Sequence, residues 1–147
     1  YSRVPLGEIV EKTLQMVSHR LDRITPVLEM DQRERLIFVD AARFLAVLVN
    51  LVTNAIDAMP DGGTLRVVSH FDEENGESVL RLSISDTGCG IPEEELQKIQ
   101  EPFFTTKTRG TGLGLPICRK IIEAHKGKME IKSKVHEGTT FEITIPA

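Results

Sequence analysis

Residues 40–63 read DAARFLAVLVNLVTNAIDAMPDGG, a long apolar segment between an aspartate and a glycine turn. Asp40 is a typical N-cap residue, because its carboxylate can accept a hydrogen bond from the first turn of a helix. The proline and the two glycines at 60–63 do not continue a helix. We therefore predict a helix from Ala41 to about Met59.

Two asparagines, Asn50 and Asn54, lie one turn apart on one face of this predicted helix. Leaving a buried amide without a partner costs about 1–3 kcal/mol, so each amide needs one. Two roles are open: the amides cap neighbouring loops, or an amide oxygen serves as a hard ligand that Mg²⁺ accepts beside water and phosphate oxygens.

The rest of the chain alternates helical and strand-like segments. Apolar residues at three- and four-residue intervals predict a helix over Leu6–Leu21, and the short runs Pro26–Met30 and Leu36–Val39 indicate a small hairpin. Further on, the patterns predict a hairpin of strands Thr64–Phe71 and Ser78–Ser85, a helical turn from Pro92, a helix over Leu115–Ala124 and closing strands Lys128–Ser133 and Thr139–Ile145. This order favours an α+β two-layer sandwich over a wound βαβ sheet.

Composition narrows the class of protein. The chain has 147 residues, 40% of them hydrophobic, with 18 basic and 22 acidic residues for a net charge of −4. That length suits one domain, residues 1–147, and the acidic balance argues against a nucleic-acid partner. Cys89 and Cys118 cannot form a disulfide framework, and no apolar run is long enough to span a membrane. We expect a cytoplasmic domain.

Glycines and basic residues concentrate in one region. Five of the 11 glycines lie between Gly88 and Gly114, and residues 102–122 carry four bases and no acid. The run 110–114, GTGLG, directly precedes the predicted fourth helix, where backbone N–H groups and the helix dipole favour an anion. The alternatives are a flexible hinge and an ordinary solvated surface.

Asp86 ends a predicted strand and is followed by Thr87-Gly88-Cys89-Gly90. A carboxylate there can accept a hydrogen bond from an exocyclic amine of a nucleobase, with the glycines removing bulk beside it. The other interpretation is an Asx turn.

Together these motifs resemble the nucleotide-binding domain of the sensor histidine kinases, within the gyrase, Hsp90, histidine kinase and MutL superfamily. Residues 50–55 resemble the asparagine box, 86–91 and 110–115 the two glycine boxes, 101–107 the phenylalanine box, and 138–141 the last glycine turn. The resemblance implies a Bergerat-type ATP-binding fold, with a mixed, mostly antiparallel sheet covered by about three helices on one face. It also implies ATP and Mg²⁺ as cofactors.

The resemblance also implies a set of site residues. Asn54 would hold magnesium, and Asn50 and Lys107 would be the catalytic residues. The nucleotide contacts would be Asn50, Asn54, Asp57, Asp86, Gly88, Gly90, Ile91, Lys107, Arg109, Gly110, Thr111, Gly112, Leu113, Gly114, Leu115, Thr139 and Thr140. Two positions depart from the family: Ala46 stands where many relatives have Gln or Glu, and Asp57 where many have a phosphate-binding Lys. The departure at Asp57 shifts phosphate binding to Lys107, Arg109 and Arg119.

The implied activity is transfer of the ATP γ-phosphate to a histidine in two-component signalling. The superfamily's ATPases resemble one another in a water-activating Glu four residues before the magnesium Asn, and here that position is Asn50. None of the four histidines, at 19, 70, 125 and 136, fits the acceptor pattern. We therefore expect the acceptor on a dimerisation hairpin outside these residues, in a parent that is a homodimer and possibly membrane-anchored. The fragment itself should be a monomer that does not autophosphorylate, and a response regulator should act downstream. The alternatives are a serine-kinase or anti-sigma-type switch, or a non-catalytic nucleotide-sensing module.

Overall fold

The computed structural model describes residues 1–98 and 114–147. In chain order the elements are β1 (Ser2–Pro5), α1 (Leu6–Met16), a 3₁₀ turn (Ser18–Arg20), β2 (Ile24–Met30), β3 (Leu36–Val39), α2 (Ala41–Asp57), β4 (Gly63–Glu74), β5 (Glu77–Asp86), α3 (Glu93–Lys98), α4 (Leu115–Ala124), β6 (Lys128–Lys134) and β7 (Gly138–Pro146). None of the helices described is long and apolar enough to cross a membrane.

The main sheet has five strands in the order β2-β4-β5-β7-β6. Among the strands of residues 1–98 and 114–147, β2 and β4 run parallel, and the other neighbours in this sheet are antiparallel. Helix α2 packs against β4 and β5, and α4 packs against α2 and β6. The predicted α+β sandwich with a mixed, mostly antiparallel sheet is therefore confirmed.

The core lies between the inner face of this sheet and the helices. Alternate residues of β5 and β7 point inward, so that Leu82 faces Ile143 and Ile84 faces Phe141 in adjacent strands. On α2, Phe44, Val47 and Leu51 are fully buried. The inner face of the sheet and one apolar stripe of α2 therefore pack against each other. Asp86 lies at the end of β5 and Asp57 at the end of α2, at the edge of these two layers.

The predicted central helix and first hairpin of the main sheet both form, but α2 ends at Asp57 instead of Met59 and β4 continues past Phe71 to Glu74. The Asp40 carboxylate accepts a hydrogen bond from the Arg43 N–H at 3.2 Å, which caps α2. Strands β4 and β5 turn at Asn75 and Gly76, both with positive φ, as a two-residue hairpin turn requires. Helix α4 and the closing strands β6 and β7 agree with the predicted segments within one or two residues.

The predicted hairpin between the first two short strands is wrong. Strand β2 pairs in parallel with β4, whereas β3 pairs antiparallel with β1 in a separate two-stranded sheet. The connection between β2 and β3 is held instead to the start of α1, because the Gly7 N–H donates to the Arg33 carbonyl at 2.7 Å. Both pairings are non-local, so the sequence near the turn could not reveal them. Strand β1 itself was not predicted.

The first helix also ends earlier than predicted, at Met16 instead of Leu21. Hydrogen bonds from Arg20 N–H to the Val17 carbonyl and from Leu21 N–H to the Ser18 carbonyl tighten the chain into a 3₁₀ turn. This turn brings Arg20 to the end of α2.

Candidate nucleotide site

Asp86 is the last residue of β5 and is buried, with 6% of its surface exposed. Its Oδ1 accepts hydrogen bonds from the Gly88 N–H at 2.9 Å and the Thr139 N–H at 3.3 Å. Because both bonds go to Oδ1, Oδ2 is the oxygen that can accept from a ligand. The Gly88 bond also gives Asp86 the Asx-turn geometry that the sequence left as an alternative.

Burial raises the pKa of Asp86 above its ordinary value of 3.8, against the opposing effect of the two backbone hydrogen bonds. The desolvation of this carboxylate therefore outweighs the local stabilisation of its charge. A buried carboxyl group whose pKa is raised by desolvation is typical of a functional site.

The glycines of the loop after Asp86 let backbones approach closely. A Cβ on Gly88 would lie 2.3 Å from the Ala58 carbonyl oxygen, at the end of α2. Gly90 has a φ of +74°, and a Cβ there would lie 2.0 Å from the Lys134 carbonyl oxygen. These two glycines are thus required for packing of the loop against α2 and the β6–β7 turn, and not only for ligand approach.

The same loop is joined to the β6–β7 turn by side-chain hydrogen bonds. The Ile91 N–H donates to Ser133 Oγ at 2.8 Å, and Ser133 Oγ lies 2.7 Å from Thr139 Oγ1. Thr139 is 5% exposed and its N–H bonds Asp86, so the structure brings Asp86, Ile91 and Thr139 into one cluster.

Thr140 is not part of this cluster. Its Oγ1 lies 2.9 Å from Ser85 Oγ, its register partner on β5. Since alternate residues of a strand point to opposite faces, the Thr140 side chain lies on the outer face of the sheet, away from Asp86 and Thr139.

One face of α2, the asparagine face, carries Asn50, Asn54 and Asp57. It runs from α4 towards the 3₁₀ turn. Asn50 is 4% exposed and its Nδ2 donates to Cys118 Sγ on α4 at 3.3 Å. Asn54, one turn further on, is half-buried, and Asp57 is exposed at the end of the helix. Asp57 Oδ1 accepts a hydrogen bond from Arg20 Nη2 at 2.5 Å, so the carboxylate predicted to contact nucleotide is paired with a cation.

Burial raises the pKa of the Cys118 thiol to about 11, with the Asn50 hydrogen bond opposing the shift. The thiol is therefore protonated at neutral pH. It holds the Asn50 amide and is not a nucleophile or a metal ligand in this state.

The N-terminus of α4 lies next to the second glycine-rich run. Gly114 is its N-cap with φ −81° and ψ 163°, and Pro116 occupies the first turn. Leu115 is half-buried and packs against the core. The predicted site residues Lys107, Arg109, Gly110, Thr111, Gly112 and Leu113 lie outside the described residues.

Three residues at this site were not predicted: Arg20, Cys118 and Ser133. For two of them, the sequence contained a pattern that could have indicated their role. Ser133 follows Met129 and Ile131 at inward positions of β6, and a polar residue there needs a partner. Cys118 precedes Ile122 by four residues on the buried stripe of α4. Nothing in the local sequence connects Arg20 to α2.

The arrangement can bind a base and a polyanion. Asp86 offers a buried acceptor at one end, and the asparagine face offers amide oxygens suited to a hard cation. Among residues 1–98 and 114–147 there is no group of three or more His, Cys, Asp or Glu side chains that could hold a metal ion by themselves.

Comparison with known proteins identifies the family of this chain. Residues 39–147 match the family model described as histidine kinase-, DNA gyrase B- and HSP90-like ATPase. Sporulation kinase E of Bacillus subtilis is 33% identical over 149 residues, covering 99% of this chain and 20% of that kinase. The histidine kinase AtoS of Escherichia coli is 35% identical over 148 residues, covering 99% and 24%.

Solved structures of histidine kinase catalytic domains are also similar to this chain. The nucleotide-free catalytic domain of the histidine kinase ThkA superposes with a TM-score of 0.86 at 37% identity, covering 99% of this chain and 94% of that one. The chain spans about a quarter or less of the two full-length kinases above. It therefore belongs to the histidine kinase-, DNA gyrase B- and HSP90-like ATPase family, and within that family it is similar to the catalytic domains of sensor histidine kinases.

Proposed function

We propose that this domain binds ATP with Mg²⁺ and donates the γ-phosphate to a histidine on a separate dimerisation domain, in two-component signal transduction. The observation that carries the proposal is the buried Asp86 carboxylate, with Oδ1 bonded by two backbone N–H groups and Oδ2 left for an adenine amine. Among the described residues of the site, Asp86 is the buried carboxylate, and burying a charged group costs folding free energy.

The asparagine face fits a magnesium–polyphosphate ligand. Mg²⁺ prefers octahedral oxygen ligands and keeps several of them as water or phosphate, so one protein oxygen is enough. Asn54 would supply that oxygen. The metal would neutralise phosphate charge, and Asn50, held by Cys118, would lie one turn away on the same face.

The identity of residue 50 favours phosphoryl transfer over hydrolysis. An amide cannot take a proton from water as a carboxylate can, so this position supplies no general base. The γ-phosphoryl group would then leave its bridging oxygen only for a nucleophile brought to the site. Positioning and charge neutralisation supply most of the catalysis in such reactions.

Two of the four histidines have partners within the domain, which supports an external acceptor. His125 Nε2 accepts a hydrogen bond from the Asp40 N–H at 3.1 Å, and its Nδ1 lies 2.8 Å from the Ile121 carbonyl oxygen. His70 Nε2 lies 3.2 Å from Asp72 Oδ2. We infer that the acceptor belongs to a dimerisation hairpin and that a response regulator acts downstream. A similar kinase, ThkA, has been solved in complex with the response regulator TrrA.

Nucleotide titrations test the proposal. We expect ATP to stabilise the isolated domain and MgCl₂ to strengthen that effect, as measured by thermal unfolding and calorimetry. With a dimerisation hairpin from a related sporulation kinase added, labelled phosphate should move to the hairpin histidine. An Asn54→Ala variant should lose the magnesium dependence, and Lys107→Ala should weaken ATP binding if Lys107 contacts the β- and γ-phosphates.

Other outcomes identify other functions. No stabilisation by ATP would refute every nucleotide-binding interpretation, and rapid hydrolysis by the isolated domain would contradict the argument from Asn50. Transfer to serine on a protein substrate would indicate a serine-kinase or anti-sigma-type switch. Binding without any transfer, with several hairpins tried, would indicate a nucleotide-sensing module.

A further inference from the structure

One ion pair lies at the C-terminal end of the asparagine face of α2. Arg20 Nη2 donates to Asp57 Oδ1 at 2.5 Å, and the two side chains are 38% and 30% exposed. Asp57 follows Asn50 and Asn54 by seven and three residues, so all three share one face of the helix. The pair therefore lies at the end of the face assigned above to magnesium and phosphate.

Asp57 without its partner would oppose a polyphosphate. A carboxylate one turn from Asn54 repels the charge of ATP, and this repulsion is weakened only partly by solvent at a half-exposed site. The positive charge of Arg20 cancels the negative charge of the Asp57 carboxylate. The pair thus changes an unfavourable end of the face into a neutral one.

Arg20 also keeps donors for a ligand. A guanidinium has five N–H groups in a planar fork, and the bond to Asp57 uses Nη2. Within the described residues, Arg20 Nε and Nη1 form no hydrogen bond with another side chain. Arginine held by one carboxylate and open on its other edge is suited to phosphate oxygens.

There is room for such a ligand group beside the pair. A cavity of about 350 Å³ opens there. The charged and titratable side chains that line it are His19, Arg20, Asp22, Arg23 and Asp57. Both arginines and Asp22 come from the segment around the 3₁₀ turn, and Asp57 comes from α2, so the cavity has two cationic and two anionic side chains beside His19.

We propose that Arg20 is a phosphate-positioning residue, held by Asp57 and directed at the phosphate chain of ATP bound on the Asn50–Asn54 face. This inference rests on the proposed function, because it requires ATP at this site. Asp57 then has an indirect role: it fixes the guanidinium and does not contact the nucleotide.

The test compares ATP with adenosine, which lacks phosphate, in calorimetric titrations with MgCl₂ at low and high salt. Arg20→Ala should weaken ATP binding about tenfold, as expected for the loss of about 1.4 kcal/mol of interaction energy, and leave adenosine binding within about twofold. The tenfold loss should shrink at high salt, because surface charges are screened. Arg20→Lys, which keeps the charge without the fork, should lie between the parent and Arg20→Ala.

A double variant separates phosphate binding from a structural ion pair. Arg20→Ala/Asp57→Ala removes the repelling carboxylate as well, so it should bind ATP more tightly than Arg20→Ala but more weakly than the parent. Full recovery of the parent's affinity would overturn a contact between Arg20 and phosphate. Arg66→Ala is the matched control, because it breaks an exposed pair of similar length, 2.6 Å to Glu29, away from α2. It should change neither titration.

The outcomes are distinguishable. Equal losses for ATP and adenosine in Arg20→Ala, or no loss for either, would overturn the role of Arg20 while the proposed function stands. If thermal unfolding shows that Arg20→Ala does not fold, the titration of Arg20→Lys decides instead. ATP binding by Arg20→Lys that equals the parent's in affinity and in salt dependence would overturn the role of Arg20. A parent domain that binds neither ligand would overturn both proposals.

Discussion

Replacement of Asp86 by asparagine should stabilise the empty domain and weaken its binding of ATP. Asparagine has the same shape, and its Oδ1 can still accept the hydrogen bonds from Gly88 and Thr139. The change removes a buried charge and replaces Oδ2, an acceptor, with an NH₂ donor. Stability and binding are therefore expected to move in opposite directions.

The structure sets the size of both effects. The raised pKa of Asp86 shows that desolvation outweighs its two hydrogen bonds, so a neutral side chain of equal size should raise the free energy of unfolding, by about 1 kcal/mol. For a domain of this length that corresponds to about 3 °C in Tm. A hydrogen bond to a charged acceptor contributes about 1.5–3 kcal/mol, so its loss should weaken ATP binding about 10- to 150-fold.

The stability gain should depend on pH in a defined direction. Because the folded-state pKa of Asp86 is raised, its ionised form costs stability above that pKa, and the cost disappears below the ordinary value of 3.8. The stability difference between Asp86→Asn and the parent should therefore be largest at neutral pH. It should shrink as the pH falls through the raised pKa.

Thermal and urea unfolding of the empty domain, with ATP titrations of the same samples, measure both effects. Asp31→Asn, an exposed aspartate that follows β2, is the matched control and should change neither quantity. If Asp86→Asn bound ATP as tightly as the parent, the adenine contact would be refuted. If it lowered the Tm by several degrees, the desolvation argument would be wrong.

Three further predictions follow from buried or crowded groups. Ser69→Ala should raise the free energy of unfolding by about 1 kcal/mol in urea, because Ser69 Oγ is buried without a hydrogen-bond partner among the described residues. Gly88→Ala should lower it by about 1–3 kcal/mol and weaken ATP binding, because its Cβ would lie 2.3 Å from the Ala58 carbonyl oxygen. With a thiol reagent at pH 7 to 8, exposed Cys89 should react and buried Cys118, with a pKa of about 11, should react only after unfolding.

Each of these has a control or a contrary result. Ser83→Ala, on the outer face of β5, should leave stability within about 0.5 kcal/mol. Gly114→Ala, whose Cβ would have its nearest neighbour at 3.5 Å, should be tolerated in the fold. Equal destabilisation by the two glycine variants would show that close approach is not what position 88 requires. Two thiols reacting at the same rate in the folded domain would contradict the burial of Cys118.

The places of Asn50, Asn54 and Asp86 in the fold were predictable because these residues lie in short, contiguous motifs. Asn50 and Asn54 share a helix face by spacing alone, and Asp86 ends a strand that alternation identifies. The pairings that were not predicted are non-local: β2 pairs with β4, and β3 pairs with β1. Loop geometry and strand propensity near the turn carry no information about which distant edge a strand will join.

The periodic elements, the cap of α2 by Asp40 and the order of the motifs can be predicted from the sequence, because they depend on residues a few positions apart. Contacts between distant segments are what require Gly88 and Gly90 for packing, join Thr139 to Asp86 while Thr140 lies on the other face of the sheet, and pair Arg20 with Asp57. Close approach, strand register and charge pairing are properties of segments that meet in space. They exist only after the sheet and the helices have packed together.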